Sequence, residues 1–299
     1  LAAKLELEPP PNADPVGEAW LLYDRNRLVG APEVTLAELV SREPGLLGEA
    51  SRRHYGEKVP LLSKLIDAAE RLSIQVHPDD AYARTVEAAT GHFGKAEAWL
   101  VLAAEPGASI VWGFAREVDK AELRSRVEQG TLEEVLNVVP VAPGDVIYNP
   151  PGTVHAIGAG VLLFEIQQAS DLTYRLYDYG RRDAQGQTRE LHVDKALEVV
   201  DLRPGEHAKV VPDSLTHNGE RLVACEHFVM ERWRVTGRQA FAVDPARFET
   251  LTVIEGALTL AWEAGEVALG WGATVFVPAT VPRFALAGEG AALRCYLPS

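Results

Sequence analysis

The stretch Gly144-Asp-Val-Ile-Tyr-Asn-Pro-Pro-Gly-Thr-Val-His-Ala-Ile-Gly158 carries the reading of the fold. Gly144 leads a short apolar strand, Pro150 and Gly152 turn the chain, and a lone imidazole, His155, opens the next apolar run. Glycine reaches backbone angles that other residues resist, and proline fixes φ and cannot continue a hydrogen-bonded ladder. The spacing predicts strand, turn and strand, with one histidine held at a defined place. A histidine so placed calls for partners elsewhere in the chain.

Outward from this stretch the same rhythm dominates. Apolar runs at Ala98–Ala103, Val146–Tyr148, Val161–Ile166, Val223–Val229, Leu251–Ile254 and Thr274–Val277 are punctuated by glycine and proline turns, which is the pattern of a sandwich or barrel. Helices are predicted only at a few starts. Thr35–Glu38, Asp119–Glu122 and Thr131–Glu134 have capping-box spacing. Asp79 or Asp80 begins a further helix through Glu87, and another covers Val193–Val200 before Arg203-Pro-Gly. The polar stretch Asp201–Glu220 marks a boundary, giving an N-terminal domain of residues 1–212 and a C-terminal one of 213–299. In the second, Gly270-Trp-Gly-Ala-Thr-Val-Phe-Val-Pro278 repeats the Gly144–Pro150 rhythm weakly, but no histidine follows. Two barrels of similar plan are expected, one with a site and one without.

The bulk numbers narrow the partners. The 299 residues are 47% hydrophobic and carry a net charge of −14. That balance argues against nucleic acid and anionic membranes, both of which need a basic footprint. No apolar run is long enough to cross a bilayer as a helix. Leu1–Asp14 is polar and proline-rich, lacks the layout of a secretion signal, and is expected to be a loose end; the initial Leu suggests that a few native residues precede it. Two cysteines, Cys225 and Cys295, without close pairing, are expected to be buried free thiols in a reducing, cytoplasmic compartment.

Among the eight histidines, His77 stands out. In Leu72-Ser-Ile-Gln-Val-His77, Ser73, Gln75 and His77 alternate with apolar residues, so a strand here turns a hydroxyl, an amide and an imidazole to one side. A solvent-facing polar surface is the plainer alternative. In Gly94-Lys-Ala-Glu-Ala-Trp99, Lys95 and Glu97 share a face, as a surface ion pair or as a cationic group beside a carboxylate ligand. Gln75, His77, Glu97 and His155 together offer nitrogen and oxygen donors without a thiolate, a set that suits zinc and also iron, manganese or cobalt. From Phe164 to Arg181, Asp171, Arg175, Asp178 and Arg181 interleave with tyrosines. This is either an ordinary charged loop or a guanidinium placed for an oxygen-rich anion.

The Gly144–His155 spacing resembles the second motif of the cupin superfamily. With Leu72–Pro78, Gly94–Trp99 and the Gln167–Arg181 segment in the same order, the chain resembles the type I mannose-6-phosphate isomerases, most closely their short bacterial and archaeal form, from about Gly17 to Arg181 and more loosely beyond. The resemblance implies a mainly β double cupin, two jelly-roll barrels with short helices inserted around the first, and one zinc per chain. It implies His77, Glu97 and His155 as metal ligands with Gln75 beside them, Arg175 and Lys95 as catalytic groups, and Lys64 and Ser73 near the phosphate. The implied partner is a small sugar phosphate, and the protein would be a monomer or homodimer. The aromatic-Trp-Gly-Gly stretch usual before Gly17 is missing, and the second barrel carries no metal residues.

The implied reaction moves a proton between C2 and C1 through a cis-enediolate, whose adjacent oxygens a divalent ion and Arg175 can stabilise. Lys95 could assist ring opening or proton shuttling, and Lys95, a histidine and a carboxylate remain open as the carbon base. An isomerase of unphosphorylated mannose or another aldose would use the same metal chemistry. A non-catalytic sugar-binding cupin would tolerate loss of Lys95, Arg175 or a ligand. An iron dioxygenase would want a tighter His-x-His pair where Gln75 stands.

Overall fold

Turn-bounded apolar runs become strands along most of the chain, and the protein is mainly β. The computed structural model describes residues 16–182 and 185–298, so the expected loose end Leu1–Asp14 lies outside the described residues. The chain forms two compact units. One is Ile66–Val210; the other joins the segment ending at Leu65 to Val211–Ser299. The described residues 16–65 group with the C-terminal segment. Backbone bonds show why: Ala50 N and Phe248 N donate to Ala246 O and Leu47 O, and Ala279 N donates to Leu46 O. Such long-range ties leave no local signature in the sequence.

In the unit Ile66–Val210, the strands Val161–Gln168, Glu97–Ala104 and Val146–Asn149 are hydrogen-bonded in that order. A second sheet runs Tyr174–Tyr177, Ile74–Val76, His155–Ile157, Ser109–Phe114, Leu136–Pro140. Trp99, Val101, Ile110, Ile147, Ile157 and Leu163 form one core. Because alternate strand residues share a face, each core residue brings a companion two positions away: Glu97 with Trp99, Asn149 with Ile147, His155 with Ile157. The face is therefore apolar at one end and polar at the other. Ile74, Val76, Val154, Ala156, Tyr174 and Leu176 form a separate core, packed with Leu123 and Val127 of one helix and Ala196 and Leu197 of another.

Those helices start where capping residues stand. Thr35 and Glu38 complete a reciprocal capping box at Leu36–Arg42. Asp79 caps Asp80–Thr85, which ends two residues short of the predicted Glu87, and Asp119 caps Lys120–Gln129. Thr131–Glu134 departs from expectation. It leads only a 3-10 turn, Leu132–Val135, without a side-chain cap, because Glu134 is drawn to Arg126 at 2.5 Å. The helix Val193–Val199 forms as predicted, whereas Glu49–Tyr55 was not foreseen because a glycine, Gly48, stands at its N-cap.

In the other unit the order is Asp213–Thr216, Gly219–Ala224, Val229–Ala242, Arg283–Tyr296, Glu249–Trp262, Gly265–Leu269, with Thr274–Val277 also pairing with Glu249–Trp262. The apolar run Val223–Val229 is not one strand: Cys225 N donates to Phe228 O and turns the chain. Its core includes Phe241, Phe284, Leu251, Leu258 and Leu286, with the two phenyl rings stacked at 5.1 Å.

The weak sequence repeat corresponds to a repeated backbone pattern. Gly144 N donates to Val101 O and Val101 N to Asp145 O; likewise Gly272 N donates to Val253 O and Val253 N to Ala273 O. Val101 lies four residues past Glu97, and Val253 four past Glu249. Glu97 pairs across to Asn149 and Gln167, and Glu249 to Val277 and Tyr296. The two glutamates thus hold corresponding places.

Candidate metal centre and active site

The turn read first from sequence does its work through Gly152. Gly152 N donates to His77 O at 2.8 Å, tying the turn to the end of the strand Ile74–Val76. Its φ is +89°, and a Cβ there would meet Val199 O at 3.0 Å, so glycine is required on two counts. On the far side of the turn His155 lies directly across from Gln75.

A second close approach delivers Lys95 and Glu97. A Cβ on Gly94 would lie 2.4 Å from the Asp79 backbone, while Lys95 N donates to Pro78 O and Gly94 N to the Asp80 carboxylate. The helical insertion between His77 and Glu97 therefore loops out and returns to its own start, and the two ligand candidates meet.

His77, Glu97 and His155 each show about 1% exposure. His155 Nε2 is 3.0 Å from Glu97 Oε1, His77 Nε2 is 3.5 Å from Glu97 Oε2, and the three ligand atoms lie within 4.8 Å of one another. Gln75 reaches both imidazoles, its amide 3.5 Å from His77 Nε2 and 3.4 Å from His155 Nε2. Lys95 Nζ is 3.1 Å from both Glu97 Oε2 and His77 Nε2. The sequence-predicted group Gln75, His77, Lys95, Glu97 and His155 is thus brought together, and its strand face points inward rather than to solvent.

The hydrogen-bond partners fix the tautomers. His77 Nδ1 donates to Leu172 O and His155 Nδ1 to Thr153 O, each at 2.8 Å, which turns both Nε2 atoms toward Glu97. Burial, helped by the Lys95 cation, pushes His77 down to about 3, so the ring stays neutral. Burial alone would raise the Glu97 carboxyl, but the adjacent Lys95 cation outweighs it and holds the group well below the usual range. Glu97 Oε2 is buried without a hydrogen-bond partner among the described residues. Two imidazoles, one ionised carboxylate and an adjacent amide fit a divalent metal of the zinc type.

Arg175 pairs across to Gln75, so Arg175, Gln75 and His155 form one row of the sheet. Its Nε donates to Ser73 Oγ at 3.3 Å and its Nη1 to Glu190 O at 3.0 Å. Its backbone is bracketed by His192, whose N donates to Arg175 O and whose Nδ1 accepts from Arg175 N. Burial and the nearby Arg189 cation lower the Arg175 pKa. Lys64 belongs to the other unit, where its ammonium lies 4.8 Å from the Trp20 ring centroid and 3.8 Å from Glu18 Oε2.

Comparison with known proteins decides the family. The description "Phosphomannose isomerase type I, catalytic domain" matches residues 1–100, and "Mannose-6-phosphate isomerase, cupin domain" matches residues 218–297. A mannose-6-phosphate isomerase of Streptococcus mutans is 35% identical over 260 residues, 86% of this chain and 78% of that one. The chain is a member of the type I mannose-6-phosphate isomerase family. A Bacillus subtilis family member is 41% identical over 227 residues, 74% of this chain and 69% of that one. The crystal structure of mannose 6-phosphate isomerase from Bacillus subtilis superimposes with a TM-score of 0.84 at 30% identity, covering 98% of this chain and 93% of that one. Within this type I isomerase fold the sequence reading missed Asn149, a buried amide across from Glu97. The signal was the polar residue ending an otherwise apolar strand.

Proposed function

We propose that this chain interconverts mannose 6-phosphate and fructose 6-phosphate, using zinc held by His77, Glu97 and His155 with Gln75 at its side. The observation that carries this reading is the buried convergence of two imidazoles on one ionised carboxylate. The names of the relatives support the substrate. A solved mannose 6-phosphate isomerase of the same fold, 17% identical with a TM-score of 0.78, is described as bound with zinc and yttrium, which supports the metal.

When bound, zinc would supply fixed positive charge to stabilise oxygens that become negative as the carbonyl is polarised. Arg175 would add a second cation to the same face, since it shares a sheet row with Gln75 and His155. Its bonds to Ser73 Oγ and Glu190 O limit the guanidinium's freedom, so little reorganisation is needed when charge develops on the two oxygens of a cis-enediolate. Lys95 would offer hydrogen bonds to sugar oxygens during ring opening and proton transfer. Ser73 would serve the phosphate.

The test is a metal-stripped preparation assayed on mannose 6-phosphate and on free mannose before and after zinc is restored. Zinc-dependent turnover of mannose 6-phosphate is expected. Equal turnover of free mannose would replace the substrate assignment with an unphosphorylated aldose. Sugar binding without turnover of either would make the chain a binding cupin.

A further inference from the structure

Asn149 ends the strand Val146–Asn149 and lies directly across from Glu97. It is 1% exposed. Its Nδ2 donates to Glu97 Oε1 at 3.4 Å, the same oxygen that faces His155 Nε2 at 3.0 Å. Its Oδ1 has no hydrogen-bond partner among the described residues. A buried amide left half satisfied works against stability, so packing does not explain its choice.

The second unit supplies an internal control. Val277 stands where Asn149 does: it ends the strand Thr274–Val277, lies across from Glu249, and precedes a proline as Asn149 does. The flanking bonds of Gly144 with Val101 and of Gly272 with Val253 place both residues in the same local frame. The frame therefore accepts a plain aliphatic side chain at this position. The glutamates differ in how they are held. Both oxygens of Glu249 are gripped by the guanidinium fork of Arg294, through Nε at 2.7 Å and Nη2 at 2.5 Å. Glu97 has no such fork, and its carboxylate plane must be set by other means.

We propose that Asn149 is a positioning residue that orients the Glu97 carboxylate for metal binding, an inference that rests on the metal site of the reading above. Its N–H draws Oε1 toward His155 and so leaves Oε2 on the side of His77 and Lys95. Groups that orient a ligand without touching the metal raise affinity by sparing the ligand a rotation on binding.

The test uses Asn149→Val, which copies the second unit, and Asn149→Leu, which keeps the branching of asparagine. Zinc affinity of each stripped variant is measured by competition with a chromophoric chelator, and stripped proteins are melted in parallel. Expected is a zinc affinity weakened about 10–100-fold, with stripped proteins that melt at or above the parent temperature. At saturating zinc the KM for mannose 6-phosphate is expected to stay at the parent value. Parent-like zinc affinity in both variants would overturn the proposal. So would loss of a cooperative melt in both, since that would make Asn149 structural. If the parent bound zinc yet isomerised nothing, the function above would fail while the affinity comparison still decided the role of Asn149.

Discussion

Glu97 and Glu249 start corresponding strands in the two units, both are buried, and each faces a cation source of a different kind. Around Glu97 stand two imidazoles, an amide and one lysine, none of them a guanidinium fork. Around Glu249 stands Arg294, which also approaches Glu231, itself bonded to Tyr296 and Trp233. The same backbone frame thus holds an open donor set in one unit and a closed ion-pair network in the other. A buried carboxylate must be paired, and what pairs it decides whether it can still take a ligand.

The sharpest way to break this contrast is at the metal. His155→Ala should lose zinc and cut kcat/KM by on the order of 10³-fold or more, because the metal's share of transition-state stabilisation is several kcal/mol. Full zinc content with full rate in this variant would remove His155 from the ligand set. The converse test lies in the second unit. Arg294→Ala leaves Glu249 buried and unpaired and should cost about 3–5 kcal/mol of stability in denaturant unfolding. The zinc affinity of the folded fraction should not change, and a parallel drop would show that the second unit is not purely structural.

Arg175→Ala separates charge stabilisation from metal binding. Zinc should stay bound while kcat falls about 10²–10³-fold, as for loss of one preorganised donor. Equal loss in Arg175→Lys would point to guanidinium geometry rather than charge alone. The smallest expected effect is on pH. In stripped protein the unfolded His77 takes a proton near pH 6.5, whereas the folded residue resists until about 3. Between those values the unfolded state holds more protons, so stability is fully present above the upper value and is lost as pH falls. Melts of stripped protein should lose stability across that window, and His77→Gln should flatten the slope. An unchanged slope would assign acid sensitivity to other groups.

Much of the site was legible because its geometry is local. Ser73, Gln75 and His77 share a strand face by alternation, and so do Lys95 and Glu97. His155 was marked by the glycine and proline of its turn. Asn149 was harder to see, since one polar residue closing an apolar strand has many meanings until its cross-strand partner is known. The Arg294–Glu249 pair was invisible because its members lie 45 positions apart on long strands.

The sequence by itself determined the strand and turn rhythm, the capped helices at Thr35, Asp79 and Asp119, the side chains that could form a metal centre, and the resemblance that names the family. These depend on alternation, capping chemistry and backbone restrictions, which act over a few residues. The tertiary structure decided which strand faces meet, which tautomer each imidazole holds, and that one glutamate stays open while its counterpart is closed by arginine. Those outcomes depend on register and burial, and burial is what converts a polar residue from a solvated side chain into a charge or lone pair that must find a partner.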